Sequence, residues 1–225
     1  MANVLNPMPR NGCELVLVRH GQSTANALGI GQGRADYPLS ELGRRQAELT
    51  AAHVATLSPV AAVYTSPLSR AAETAAAIAR ALAHTPRLVD DLVEIDIGAL
   101  SGHTWDDMRA LQPEAFAAYD AAEARGEHPR NNELIPGWEP IHSIVVRVWN
   151  AIAAIAGAHA GERVVVVAHG GVLNAFLTQL LDGDACEVPW RHSSTNCAIS
   201  RLVLAPDGPE ALCLTDDRHL AGEAS

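Results

Sequence analysis

The chain has 225 residues, 48% of them hydrophobic, and a formal net charge of −10. This fits one large domain with a full core, and the acidic balance, free of like-charge runs, argues against nucleic acid or an anionic membrane as a partner. All 16 basic residues are arginine, which excludes a Schiff-base, P-loop or kinase-type lysine and leaves planar guanidinium forks to hold any phosphate or carboxylate.

The first twelve residues hold two prolines and no apolar core, so a flexible lead rather than a signal peptide is expected. Leu15 to Val18 then reads as a short strand buried on both faces, ending abruptly in Arg19-His20-Gly21. A glycine-rich loop (Gly29, Gly31, Gly33) follows to Pro38. Ser40 caps a helix whose inward stripe is Ala47, Ala51, Val54 and Leu57. Val60 to Tyr64 is a second buried strand. Ser66-Pro67 predicts a helix start with Ser66 as cap and Pro67 in the first turn, and Leu68, Ala72, Ala75, Ala79 and Leu82 share one face.

Arg87 to Asp90 predicts a shorter strand leading to Glu94. Residues 103–136 are polar and predict two helices, near Trp105–Leu111 and Glu114–Arg125, as an insertion over one end of the sheet. A long helix from about Glu139 to His159 turns Ile141, Val145, Val148, Ile152 and Ile155 inward; its apolar run is broken by Arg147 and Asn150, too early for a membrane span. Arg163 to Ala168 is a further central strand, and it delivers His169-Gly170-Gly171 to a helix over Val172–Leu181. Late strands are expected at Cys197–Leu204 and Ala211–Leu214, with a loose tail over 216–225. Alternating strands and helices predict an α/β domain over 13–215, a three-layer α/β/α with a mostly parallel sheet. The four cysteines lack C-x-x-C spacing and read as inert buried thiols. A cytoplasmic protein is expected.

The predicted strand ends gather polar outliers on one rim, where open α/β sheets bind ligands: Arg19 and His20, Arg70 just after the second strand, Glu94, and His169. Two guanidinium forks suit a phosphoryl group, one histidine can be a nucleophile and another a donor to charged oxygens, and a carboxylate can move a proton. Asp90, Asp91 and Asp96 compete with Glu94 for that last role. His103, His142 and His192 read as polar surface, and Trp105, Trp138 and Trp190 as ordinary packing. His103 with Asp106 and Asp107 sits at a helix start, where acids favour the dipole without any metal.

Four stretches resemble the histidine phosphatase superfamily, in its order and over roughly residues 14–205. Arg19-His20-Gly21-Gln22-Ser23-Thr24-Ala25-Asn26 matches R-H-G-x-(S/T)-x-x-N, and Ser66 to Ala75 matches S-P-L-x-R-A-x-x-T-A. Glu94 to Gly102 is similar to E-x-x-x-G-x-x-(S/E)-G, and Val167 to Gly171 to V-x-H-G-G. The resemblance implies a phosphoglycerate mutase-like fold and a phosphohistidine mechanism without metal or other cofactor. It implies His20 as nucleophile, Glu94 as proton donor and His169 as second pocket histidine. Arg19, Arg70, Asn26 and Gly170 would hold phosphate, with Gln32 and Gly33 on the substrate side. The implied partner is a small phosphomonoester; a homodimer is possible within such a family. Gly137-Trp138-Glu139-Pro140 departs from the family's G-E-S. Hydrolysis is favoured over a phosphoglycerate mutase, because Ile95-Asp96-Ile97 follows Glu94 and no cation appears before Arg109. A phosphate-binding module without turnover is the third reading, although no core residue is lost.

Overall fold

The computed structural model describes residues 5–126, 133–188 and 190–222. Its main sheet has six strands in the order β4-β3-β6-β1-β7-β8: β1 (Glu14–Arg19), β3 (Ala62–Thr65), β4 (Arg87–Leu88), β6 (Arg163–Ala168), β7 (Ile199–Ala205) and β8 (Gly208–Asp216). The first four are parallel; β7 and β8 run antiparallel at one edge.

The continuous valine and leucine runs of β1 and β6 are explained by what covers them. Leu15, Leu17, Val164 and Val166 face α6 (Ile141–Gly157) and α7 (Gly170–Leu181). The alternate residues Val16, Val18, Val165 and Val167 face α2 (Glu41–Ala55) and α3 (Ser69–Ala81). Each fully buried valine or leucine contributes about 1.5–3 kcal/mol. Because side chains alternate along a strand, both layers need apolar residues, so no polar position interrupts the run before the strand ends. Polar chemistry is thereby confined to the rim.

The insertion adds a small ribbon, β2 (Ile30–Gly31) with β5 (His103–Thr104), then α4 (Trp105–Leu111) and α5 (Pro113–Ala124). It has its own minor core of Leu100, Met108, Phe116 and Ile135. Residues 127–132 of the predicted insertion lie outside the described residues. The four cysteines are free, and burial pushes the Cys13 thiol up to about 11 and that of Cys197 to about 12.

Residues near both ends of the described chain make specific contacts. Trp149 on α6 donates to the Asn6 carbonyl at 2.7 Å, and Asn11 reaches the Ala156 carbonyl at 2.9 Å. At the other end Thr195 donates to Asp217 at 2.8 Å, His219 meets Thr50 of α2 at 3.0 Å, and Leu220 is buried.

Candidate active site

The site is assembled by strand register. Arg19 pairs with Ala168 across β1 and β6, and Thr65 of β3 pairs with Val167. One residue further on, each parallel strand places a polar side chain at the same rim: His20, His169 and Ser66. Backbone bonds extend the ladder one step, His20 N–H to the Ala168 carbonyl (3.0 Å) and Ser66 N–H to the Val167 carbonyl (3.1 Å). The imidazole rings of His20 and His169 lie 5.1 Å apart between centroids, and both residues are buried.

His20 Nδ1 lies 2.7 Å from the Gly21 carbonyl. A carbonyl only accepts, so Nδ1 carries the proton and the lone pair is on Nε2. Burial first, and then the charges of Arg70 and Arg19, hold its pKa well below the ordinary 6.5. His169 is depressed likewise, by burial and then by His20 and Arg70; its Nε2 lies 2.8 Å from Ser66 Oγ, while Nδ1 meets no protein partner. Both imidazoles are therefore neutral at neutral pH.

Two guanidiniums flank them, that of Arg70 buried and that of Arg19 half-buried. Arg70, 1% exposed, donates to the Ala35 and Gly33 carbonyls at 3.0 and 2.9 Å. Arg19 donates to the Ser194 carbonyl. Burial lowers both arginine pKa values, yet leaves them charged. Each keeps its Nε unpartnered. A buried polar atom without a partner is uncommon, and two on cations beside an unpartnered imidazole nitrogen favour an anion as the missing acceptor.

Arg19, His20, Asn26, Gln32, Gly33, Arg70 and Glu94 line one cleft of about 360 Å³, with Trp105 at its wall. Asn26 uses Oδ1 to take the Ser23 N–H (3.2 Å) and the amide of Asn196 (3.3 Å). Gln32 accepts from Ser23 Oγ at 2.8 Å. Gly33 has φ +50°, and a Cβ there would stand 2.6 Å from Ile97 Cγ1, so only glycine lets this loop turn its carbonyl to Arg70. Gly170 does not line the cleft; it makes room for Arg19, whose Nε would be 3.3 Å from a Cβ at that position.

Glu94 reaches the rim from a loop. Its Oε1 accepts from Ile95 N–H (2.9 Å) and Val172 N–H (3.3 Å), and Oε2 from Gly171 N–H (3.1 Å), so the start of α7 holds the carboxylate. At Gly171 a Cβ would lie 2.7 Å from Glu94 Oε1. Behind the loop, Arg147 of α6 donates to the carbonyls of Asp91, Val93 and Glu94 at 2.8, 2.6 and 3.2 Å. It also forks onto Glu139 at 2.8 and 2.9 Å. Burial alone would raise the Glu139 pKa, but the Arg147 hydrogen bonds and charge outweigh it and hold the carboxyl below its usual range.

Two expectations are corrected. Ser66 does not cap α3; the helix starts at Ser69 after Leu68, and Asp36, from the loop before α2, accepts from Ser69 N–H (2.8 Å) and Oγ (2.6 Å). Ser66 Oγ instead takes the Leu68 N–H at 3.3 Å and meets His169 Nε2 at 2.8 Å. Of the predicted stripe on α3, Ala75 and Ala79 are buried but Leu68 and Ala72 are only partly so; the buried face also takes in Ala71, Thr74 and Ile78, and with them Arg70.

The family model for the histidine phosphatase superfamily (branch 1) matches residues 15–217. The chain belongs to this superfamily. It is 37% identical over 169 residues to a metal-independent phosphoserine phosphatase of Arabidopsis thaliana, covering 74% of this chain and 68% of that one. With phosphoserine phosphatase 1 of Hydrogenobacter thermophilus it shares 32% over 187 residues, 83% of this chain and 84% of that one. A crystal structure of phosphoglycerate mutase from Bacillus anthracis superposes with a TM-score of 0.79 at 20% identity, covering 94% and 96% of the two chains; it shows the fold, which is phosphoglycerate mutase-like. The chain is an enzyme, a histidine phosphatase.

For a histidine phosphatase, the sequence reading missed Ser66 as a partner of His169, Asn196 as a partner of Asn26, and the Arg147–Glu139 support. The Glu139-Pro140 departure from G-E-S was a signal for the last of these. Among the described residues no three His, Cys, Asp or Glu side chains are grouped to hold a metal ion, and no helix is long and apolar enough to cross a membrane.

Proposed function

We propose that this phosphatase hydrolyses a small phosphomonoester, without a metal, through phospho-His20. The observation that carries the reading is the His20 tautomer: Nδ1 is committed to the Gly21 carbonyl, so a neutral Nε2 lone pair is available beside the guanidiniums of buried Arg70 and half-buried Arg19. Nε2 attacks phosphorus, and the bond from phosphorus to the ester oxygen breaks. Arg19, Arg70 and His169 stabilise charge on the equatorial oxygens, with Asn26 beside them. Glu94 passes the proton of the phosphate monoanion to the departing alkoxide. It then takes one from a water that attacks the phosphohistidine and gives it to the freed phosphate, returning Nε2 and Glu94 to their starting states. Gln32 and Gly33 shape the cleft, the former through Ser23 and the latter by holding Arg70.

Phosphate release from a panel of phosphomonoesters, measured in EDTA for the wild type and His20→Ala, tests this. Release by the wild type alone is the expected result. Interconversion of phosphoglycerates without release would make the protein a mutase, and ligand binding with neither reaction would make it a binding module.

A further inference from the structure

The cleft divides into two chemically different parts. Its titratable lining residues are Arg19, His20, Arg70 and Glu94, all assigned above to the phosphoryl group and the ester oxygen. The rest of the wall is Gly29, Ile30, Gly31 and Gly33, the neutral amides of Asn26 and Gln32, and Trp105. Among the described residues the nearby arginines are already matched: Arg34 is 3.2 Å from Glu139 and 3.8 Å from Asp96, and Arg109 is 2.5 Å from Asp120.

Trp105 is held but not covered. It opens α4 directly after Thr104, whose capping box with Asp107 fixes the turn, and β5 ties that turn to Ile30 of the cleft wall. Its indole meets Phe116 and Trp138 edge-on at 6.3 and 6.1 Å, yet 51% of the residue is exposed. A rigid aromatic face, with one side packed and the other open to the cleft, offers contact area at little entropic cost. A charged leaving group would lose hydration there without finding an opposite charge.

We propose that Trp105 is a specificity-determining residue and that the leaving alcohol is neutral and carries an apolar or ring face that stacks on its indole. This rests on the phosphomonoesterase reading and departs from phosphoserine, whose leaving group is a zwitterion.

Benzyl phosphate, ethyl phosphate and O-phosphoserine all release a primary alkoxide, so the proton demand on Glu94 is similar and the remainder of the alcohol is the variable. The expected result is a kcat/KM for benzyl phosphate about tenfold above the other two, expressed mainly in KM. Trp105→Ala should abolish that advantage while leaving ethyl phosphate turnover within about twofold, and Trp105→Phe should retain most of it. Preference for phosphoserine, or an equal loss on all three esters, would overturn the proposal. If the wild type releases no phosphate from any of them, the hydrolase reading fails instead. The leaving-group site is then judged by calorimetric binding of the three esters to His20→Ala, with and without Trp105→Ala. Tighter benzyl phosphate binding that depends on Trp105 upholds it, and equal affinities reject it.

Discussion

The two sides of the cleft are built by different means. His20, His169 and Ser66 stand one residue beyond three hydrogen-bonded parallel strands, so their spacing is inherited from the sheet and from the valine-rich core on both of its faces. Glu94 stands in a loop, and its place depends on side chains reaching in from elsewhere: Arg147 from α6, Glu139 just before it, and the N–H groups of α7. Positioning of the proposed nucleophile is a property of the fold, whereas positioning of the proposed proton donor is a property of a few hydrogen bonds. The first side should resist everything but loss of the reacting group; the second should be tunable from a distance.

The largest expected effect breaks the strand-borne side at its centre. His20→Gln removes the nucleophile and should lower kcat by about 10³-fold or more while the fold survives, as steady-state rates and circular dichroism would report together. Next comes the loop-borne side. Glu94→Gln should lower kcat about 10²-fold on an alkyl phosphate and far less on p-nitrophenyl phosphate, whose leaving group needs no proton. Equal losses on both substrates would deny Glu94 the proton-donor role.

Arg147→Lys sharpens the contrast, because a lysine cannot fork to Glu139 and still meet the loop carbonyls. A roughly tenfold loss in kcat with the leaving-group dependence of Glu94→Gln is expected, with KM little changed. A loss independent of the leaving group would make Arg147 merely structural.

The smallest effect concerns stability. His20 and His169 stay unprotonated in the folded state, whereas the unfolded chain binds their protons below about pH 6.5. Their contribution is therefore complete above that pH and declines as pH falls toward the depressed folded values. The slope is at most about 2.7 kcal/mol per pH unit for two protons. Urea unfolding at pH 7.5 and 5.5 should show a shallower decline in a His20→Asn/His169→Asn double variant than in the wild type.

The same contrast governs how much the sequence could reveal. Arg163–Ala168 and Trp105–Leu111 are legible to the residue, because an unbroken β-branched run and a capped acidic first turn are local signals. The stripe of α6 is legible too, with Ile141, Val145, Val148, Ile152 and Ile155 all buried. His20, Arg19, Arg70, Glu94 and His169 could be nominated because each lies at or beyond a predicted strand end; register places His20 and His169, while Arg70 comes from α3 and Glu94 from a loop. What escaped were pairings between distant residues. Ser66 reads as a cap from its Ser-Pro context, and nothing local says that His169, 103 residues on, will take its hydroxyl instead. Arg147 reads as an interruption of an apolar helix, and its Glu94 contact spans 53 residues. Gly170 looked like a ligand because it follows the histidine; its neighbour in space is the side chain of Arg19.

The most direct test of the account is to trap the enzyme during turnover of a phosphomonoester by rapid acid-free quench and to map covalent phosphate by mass spectrometry. The account predicts one phosphorylated peptide, with the phosphoryl group on Nε2 of His20, formed and discharged at rates at least equal to kcat. Steady turnover without any phosphohistidine, or undiminished turnover by His20→Ala, would contradict it.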